Sequence, residues 1–405
     1  MSKKKIVFVA DSTVQLYPLY SHIKKNYEII WIVYFKDVAD DLRKKGVEKE
    51  SIFLINSLGF LNKRFFPFLV LKKIIKIFFG NLEKKILLTK IKKVGENFYP
   101  NLWITDTGLL SEITTKSPKC NFKHSISYLK CFLADSIFNY DYIFLPGHYH
   151  LNRILEYYKN NINKEKLIVA GSLKVSNYVR KRNLEPQDKK NLLKKYNLSI
   201  DKKNILFAVH WNSFGQNRFL PKSFGDQFKA INQISDYANN VLNCNFIIKL
   251  HHYQHSLLKS EGLKKIAKKK NNMVFQSAIF HDIDESEDVI RLSDIIITDT
   301  SGVGILGVFL DKKIIYLEPD PPFNWQDSDI KSDLRPGFVC KKFEEVYNAL
   351  DKYLNSNNLF NEERKDFIKQ IFFKPEKDAC GEISKSIDRI INLEKPKAIR
   401  TQYSE

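Results

Sequence analysis

The sequence has no Cys-x-x-Cys pair. Its five cysteines stand apart at 120, 131, 244, 340 and 380, which suggests neither a zinc knuckle nor a disulfide framework. No stretch reaches the roughly 18 uninterrupted apolar residues of a transmembrane helix. The opening residues, MSKKKIVFVADS, hold too short an apolar run for a secretory signal before turning polar at Asp11, so the expected location is the cytoplasm. There is no RNP, helix-turn-helix or zinc-finger pattern, so nucleic acid is not an expected partner. Neither an internal repeat nor a low-complexity tract stands out beyond lysine clusters such as Lys268–Lys270, which read as solvated helix faces. No DxD-like metal motif is placed in the expected cleft, and no cofactor is expected.

What is present begins with charge. Sixty-six basic residues against 46 acidic ones leave +20 over 405 residues, which favours anionic partners such as nucleotides, phosphate polymers or a lipid surface. That length, with 43% hydrophobic residues, can bury a substantial core and favours two domains. Short apolar runs bounded by charge recur at Ile6–Ala10, Ile29–Tyr34, Ile52–Ile55, Leu102–Thr105, Tyr142–Leu145 and Leu167–Ala170. They begin again at Ile205–Val209 and continue through Phe246–Leu250, Met273–Phe275, Ile295–Thr298 and Ile314–Leu317. Uninterrupted apolar runs suit strands buried on both faces of a parallel sheet, and their alternation with helical stretches predicts an α/β fold.

Between the two series lies Val179–Asn204, highly charged and without a strand pattern. It predicts a linker with a surface helix over 181–203, separating Rossmann-like units over 1–180 and 204–405. Two such units facing each other form a cleft, where ligands bind in open α/β sheets. One segment differs: GFLNKRFFPFLVLKKIIKIFFGNLEKKILL, over 59–88, interleaves lysine with large apolar residues. It reads either as an amphipathic helix lying on an anionic membrane surface or as a core-facing helix with its lysines in water.

The chemistry centres on TDTSG, residues 298–302. A buried strand ending there, followed by a helix from about Ser301, aims free backbone N–H groups and two hydroxyls at the cleft. That is the make-up of a phosphate cradle, and equally of a plain N-cap by Thr300 or Ser301. His251, His252 and His255 lack a complementary carboxylate at helical spacing, so a metal cluster is not expected there. Gly147-His148-Tyr149-His150 is expected as a strand-to-helix loop at the cleft, near the acceptor.

The stretch Ser293-Asp294-Ile295 through Thr298-Asp299-Thr300-Ser301-Gly302, followed by Ile314-Ile315-Tyr316-Leu317 and Pro319-Asp320, resembles the CDP-glycerol glycerophosphotransferase family. These enzymes build teichoic acids and related capsule polymers. Weaker echoes are Lys249-Leu250-His251, with His252 where the family has proline; His124-Ser125-Ile126-Ser127, with Lys130 one residue late; Val209-His210-Trp211-Asn212, without the arginine; and Gly171-Ser172-Leu173-Lys174.

The resemblance implies GT-B architecture and transfer of glycerol phosphate, or a related polyol phosphate, from a CDP-activated donor onto a glycan or lipid-linked acceptor. It implies His124 as general base and His251 as a second catalytic group. Asp299, Thr300, Ser301, Gly302 and Val303 would lie at the donor phosphates, with Lys249, His210, Asn212 and Lys174 as further donor contacts. With the membrane-surface reading of residues 59–88, the expected place is peripheral on the inner face of the cell membrane. A glycosyltransferase of the same architecture, using a nucleotide sugar, is the alternative, because fold alone does not separate the two.

Overall fold

A computed structural model of the chain describes residues 3–13, 16–55, 84–122, 135–159, 161–180, 184–209, 220–251, 254, 257, 259–276, 283–299, 301–318, 334–356 and 358–393. The first sheet holds β1 (Lys4–Ala10), β2 (Tyr27–Val33), β3 (Ile52–Leu54), β4 (Leu102–Thr105), β5 (Lys119–Asn121), β6 (Tyr142–Leu145) and β7 (Leu167–Val169), in the order β3-β2-β1-β4-β5-β6-β7. The second holds β8 (Asn204–Phe207), β9 (Asn245–Leu250), β10 (Asn272–Gln276), β11 (Ile295–Thr298), β12 (Lys313–Leu317) and β13 (Phe338–Cys340), in the order β10-β9-β8-β11-β12-β13.

Every pairing is parallel. Both sheets therefore run outward in two directions from their first strand. Each has its crevice at the carboxyl ends of the two central strands: β1 and β4 in the first, β8 and β11 in the second.

The apolar runs are continuous because both faces of each strand are covered. In β1, Ile6, Phe8 and Ala10 enter one core cluster, while Val7 and Val9 enter the cluster on the opposite face. In β11, Ile295 and Ile297 face one way and Ile296 the other. Two strands lie outside the predicted set, β5 and β13. Each is three residues long, and β5 reads Lys-Cys-Asn, with no apolar run to mark it. The helix Pro186–Lys195 occupies the charged stretch between the sheets.

Two segments cross between the units. In the helix Leu173–Arg180, Leu173 packs in the first core and Val175 in the second. Near the end of the chain, Phe367, Ile371 and Phe372 belong to the second core, and the helix Ala379–Asn392 returns to the first. That helix buries Ala379, Cys380, Ile383, Ile387 and Ile390 against the first core, and the Tyr27 hydroxyl donates to Asp388. The Phe373 amide donates to the Pro146 carbonyl at 2.8 Å, and the Ala379 amide to Ser176 Oγ at 2.9 Å.

Among the described residues no helix is long and apolar enough to cross a membrane. Of the lysine-interleaved segment over 59–88, residues 59–83 lie outside the described residues. The remainder enters a helix over 84–97 that buries Ile91 in the first core.

Candidate active site

At the carboxyl edge of the second sheet, β11 ends at Thr298, whose hydroxyl donates to the Ala208 carbonyl at 2.5 Å and ties the strand end to its neighbour. Asp299 is buried, and its Oδ1 accepts from the Ser301 amide at 2.9 Å. This bends the chain so that Ser301 caps the helix Gly302–Phe309, its Oγ accepting from the Val303 amide at 3.3 Å. The cap reading of the sequence is thus realised, and it leaves room for ligand chemistry. A hydroxyl that accepts one bond still has its own proton to donate, and the first helical amides have no acceptor within the helix. Ser301, Gly302 and Val303 are all half-buried. Asp299 stands behind the turn as an acceptor, whereas a phosphate oxygen needs donors.

The helix is held close to the strands. A Cβ at Gly307 would come within 2.6 Å of Ile296 Cδ1 and 2.8 Å of Ile314 Cδ1, so any side chain here must displace those methyl groups or lift the helix. The positive end of the helix is thereby fixed over the crevice.

Two lysines complete this edge. Lys249 lies on β9 between Ile248 and Leu250, which face the opposite core, so its side chain shares the face of Ile247. Residues from Leu173–Arg180 and Ile283–Leu292 cover that face, through Val175, Val289 and Ile290. Lys174, from the first of these helices, is close enough that its charge acts on Lys249. Burial, and then Lys174, bring the Lys249 ammonium down to about 8. Burial also lowers Lys174, with the Glu287 carboxylate opposing. Both lysines are half-buried, and neither makes a hydrogen bond or ion pair among the described residues. Lys249 stands at the carboxyl end of β9, and β8 alone separates that strand from β11, whose end turns into the capped helix.

His251 follows β9 directly. Its amide donates to Gln254 Oε1 at 3.1 Å and its carbonyl accepts from the Gln254 amide at 2.8 Å, which anchors the backbone at the strand end. The structure therefore gathers Lys249, His251, Asp299, Ser301, Gly302, Val303 and Lys174 at one region of the second sheet. His124, His210, Asn212 and Thr300, with His252 and His255, lie outside the described residues. Pro146 and Gly147 do form a strand-to-helix turn, but it is filled from behind. A Cβ at Gly147 would lie 2.1 Å from the Ile371 carbonyl oxygen, so the turn seats the crossing segment.

The carboxyl edge of the first sheet carries a feature that sequence reasoning missed. Asp11, Tyr34 and Asp106 each follow immediately on the last residue of β1, β2 and β4, and the registers Ala10–Val33 and Val9–Thr105 bring those ends side by side. The Tyr34 hydroxyl bonds to Asp11. Asp106 is only 1% exposed, and among the described residues neither carboxyl oxygen has a hydrogen-bond partner outside its own residue. Burial, and then the charge of Asp11, raise it well above the usual carboxylate range. The one available signal was the recurrence of Thr-Asp-Thr at 105–107 and 298–300, each after an apolar run.

Against this geometry, comparison with known sequences is decisive. The sequence model of the family CDP-glycerol:poly(glycerophosphate) glycerophosphotransferase matches residues 123–387, more than half of the chain. The chain belongs to this family. It is an enzyme of the CDP-glycerol glycerophosphotransferase type, as the TDTSG resemblance implies.

No curated protein matches the chain. Among solved structures, the wall teichoic acid polymerase TagF superposes with a TM-score of 0.63 at 14% identity, covering 96% of this chain and 90% of that one. UDP-GlcNAc 2-epimerase from Neisseria meningitidis, bound to UDP-GlcNAc, gives 0.62 at 13%, covering 96% and 99%. The S. aureus MnaA–UDP co-structure gives 0.62 at 17%, covering 97% and 99%. At such identities the likeness is one of fold, and it agrees with the GT-B-like architecture of this glycerophosphotransferase.

Proposed function

We propose that the chain extends a teichoic-acid-like polyol phosphate polymer by transferring glycerol phosphate from CDP-glycerol and releasing CMP. A hydroxyl of the acceptor attacks the β-phosphorus, an oxygen–phosphorus bond forms, and the bond to the CMP oxygen breaks. The proton of the attacking hydroxyl passes to a base, which the family resemblance assigns to His124. Lys249, Lys174, the Ser301 hydroxyl and the amides at the start of Gly302–Phe309 hold the diphosphate and carry its charge as CMP leaves. His251, held by Gln254 beside Lys249, is the second group at that centre. Asp299 shapes the turn from behind.

The observation that carries this assignment of roles is the pair of half-buried lysines, without a hydrogen bond or ion pair among the described residues, at the sheet edge that also carries the capped helix. Calorimetric titration of wild type, Lys249→Ala and Ser301→Ala with CDP-glycerol, CDP and UDP tests it. The expected result is cytidine-selective binding, weakened about tenfold or more in Lys249→Ala and less in Ser301→Ala. An electrostatic hydrogen bond to phosphate of about 1.5–3 kcal/mol corresponds to such factors. Unchanged affinity in Lys249→Ala would remove that lysine from the donor site, and preference for UDP would favour a nucleotide-sugar transferase.

A further inference from the structure

The two sheets end their fourth-position strands with the same four residues, Ile-Thr-Asp-Thr, in LWITDTG over 102–108 and IIITDTSG over 295–302. The two threonines play the same part. Thr105 Oγ1 donates to the Val9 carbonyl at 2.8 Å, as Thr298 does to Ala208. The two aspartates do not. Asp299 is used by its own turn, bonded to the Ser301 amide. In the first sheet the other polar groups of the loop do that work. Thr105 Oγ1 accepts from the Thr107 amide at 3.0 Å, Thr107 Oγ1 accepts from the Leu109 amide at 3.2 Å, and Asn121 and Tyr140 donate to the Thr107 carbonyl at 2.8 and 3.1 Å.

Among the described residues the Asp106 carboxyl, although buried, has no hydrogen-bond partner outside its own residue. A buried acceptor without a donor costs about 1–3 kcal/mol, more if charged, so such a group in a native fold calls for an explanation outside the fold. Asp11, Ser12 and Tyr34 at the same edge are half-buried, and Gly108 is exposed, so the rim around the buried Asp106 carboxyl is partly open to solvent.

We propose that Asp106, with Asp11 held by Tyr34, forms the acceptor subsite and takes the free hydroxyls of a terminal polyol unit. The inference rests on the glycerophosphotransferase reading and deepens it. Two neighbouring carboxyl groups, even when they share one proton, keep a negative charge that repels phosphate and oxygens that accept hydrogen bonds, so they select the uncharged, donor-rich end of a polyol over its phosphodiesters. The lysine-bearing edge of the second sheet has the opposite preference. The two sheets thus divide the substrates by charge, and the growing end enters hydroxyl first. These residues precede the stretch matched by the family, residues 123–387. Asp106 contacts the acceptor, and Tyr34 is a positioning residue that acts through Asp11.

The test uses the full chain with CDP-glycerol as donor and a synthetic alkyl-linked glycerol phosphate dimer as acceptor, in wild type, Asp106→Asn and Asp106→Ala. Donor affinity is read by calorimetry, acceptor-dependent CMP release by kinetics, and folding by thermal melting. The expected result is an acceptor KM raised tenfold or more, donor affinity within twofold of wild type, and an Asp106→Asn melting temperature equal to or above that of wild type. Unchanged acceptor kinetics overturn the subsite, and so does a large fall in the melting temperature of Asp106→Asn, which would reveal a structural role. Binding of MgCl2 alone, lost in Asp106→Asn, also overturns it in favour of a cation. Failure of the wild type to bind CDP-glycerol overturns the underlying reading, and is told apart from the others by the wild-type titration.

Discussion

Lys249 is the residue whose chemistry is most exposed to a simple measurement. Its ammonium titrates near 8 in the fold, against an ordinary value of 10.5, because burial and Lys174 both disfavour the charge. A bound diphosphate favours the protonated form, so above pH 8 binding must take up a proton. Donor affinity is therefore expected to fall as pH rises from 8 toward 10, by up to about tenfold per pH unit, and to level off below 8. The calorimetric Kd for CDP-glycerol measured across pH 7–9.5 checks this, and a flat profile would dissociate Lys249 from the phosphates. As a lysine with a depressed value, it also adds to fold stability as pH rises between 8 and 10.5, because there the unfolded chain binds the extra proton. Lys174 and Lys249 were legible only through the family's strand-end motifs, since a lysine beside an apolar strand has no periodicity of its own. Asp106 was not legible at all. Its Thr-Asp-Thr setting matches a turn that consumes its aspartate, and only burial and the missing donor tell the two apart.

At the scale of elements, long apolar runs carried the reading. Strands covered on both faces announce themselves, which is why β1, β4, β11 and β12 were legible with nearly their observed bounds. The strand β5 was not, because it holds Lys119, whose ammonium is buried by donating to the Leu110 and Ile113 carbonyls, at 3.2 and 2.8 Å. Long-range contacts make that strand, and local composition argues against it. The helix Gly302–Phe309 shows the same dependence in its seating, since Gly307 meets Ile296 and Ile314 at less than van der Waals distance from any added Cβ. Gly307→Ala must push the helix off the sheet or move two isoleucine methyl groups, at a cost of about 1–3 kcal/mol. The expected outcome is a lower melting temperature together with weaker CDP-glycerol binding, because the cap and amides move with the helix. A variant equal to wild type in both would mean that the seating is not strict.

Across the whole molecule, the two units meet where the backbone near the end of the chain passes the turn after β6. Gly147 leaves no space there for a side chain, its added Cβ falling 2.1 Å from the Ile371 carbonyl oxygen. Gly147→Ala is expected to displace the crossing segment and reduce turnover more than it reduces donor affinity, since Lys249, Ser301 and the capped helix stay together on the second sheet. Steady-state CMP release compared with calorimetric Kd reads the difference, and a parallel loss of both would point to general unfolding.

The helix Ala379–Asn392 carries a consequence for how the protein is made. The first unit is synthesised first, yet five residues of its core come from this helix, which is synthesised only after the second sheet. Until residue 392 has been translated, the face formed by Ile6, Phe8 and Leu19 lacks its cover, and the nascent half presents apolar surface to the cell. A fragment cut at the linker would carry that exposed face permanently and would be prone to aggregate. The order in which residues are translated is therefore not the order in which the two units can finish folding.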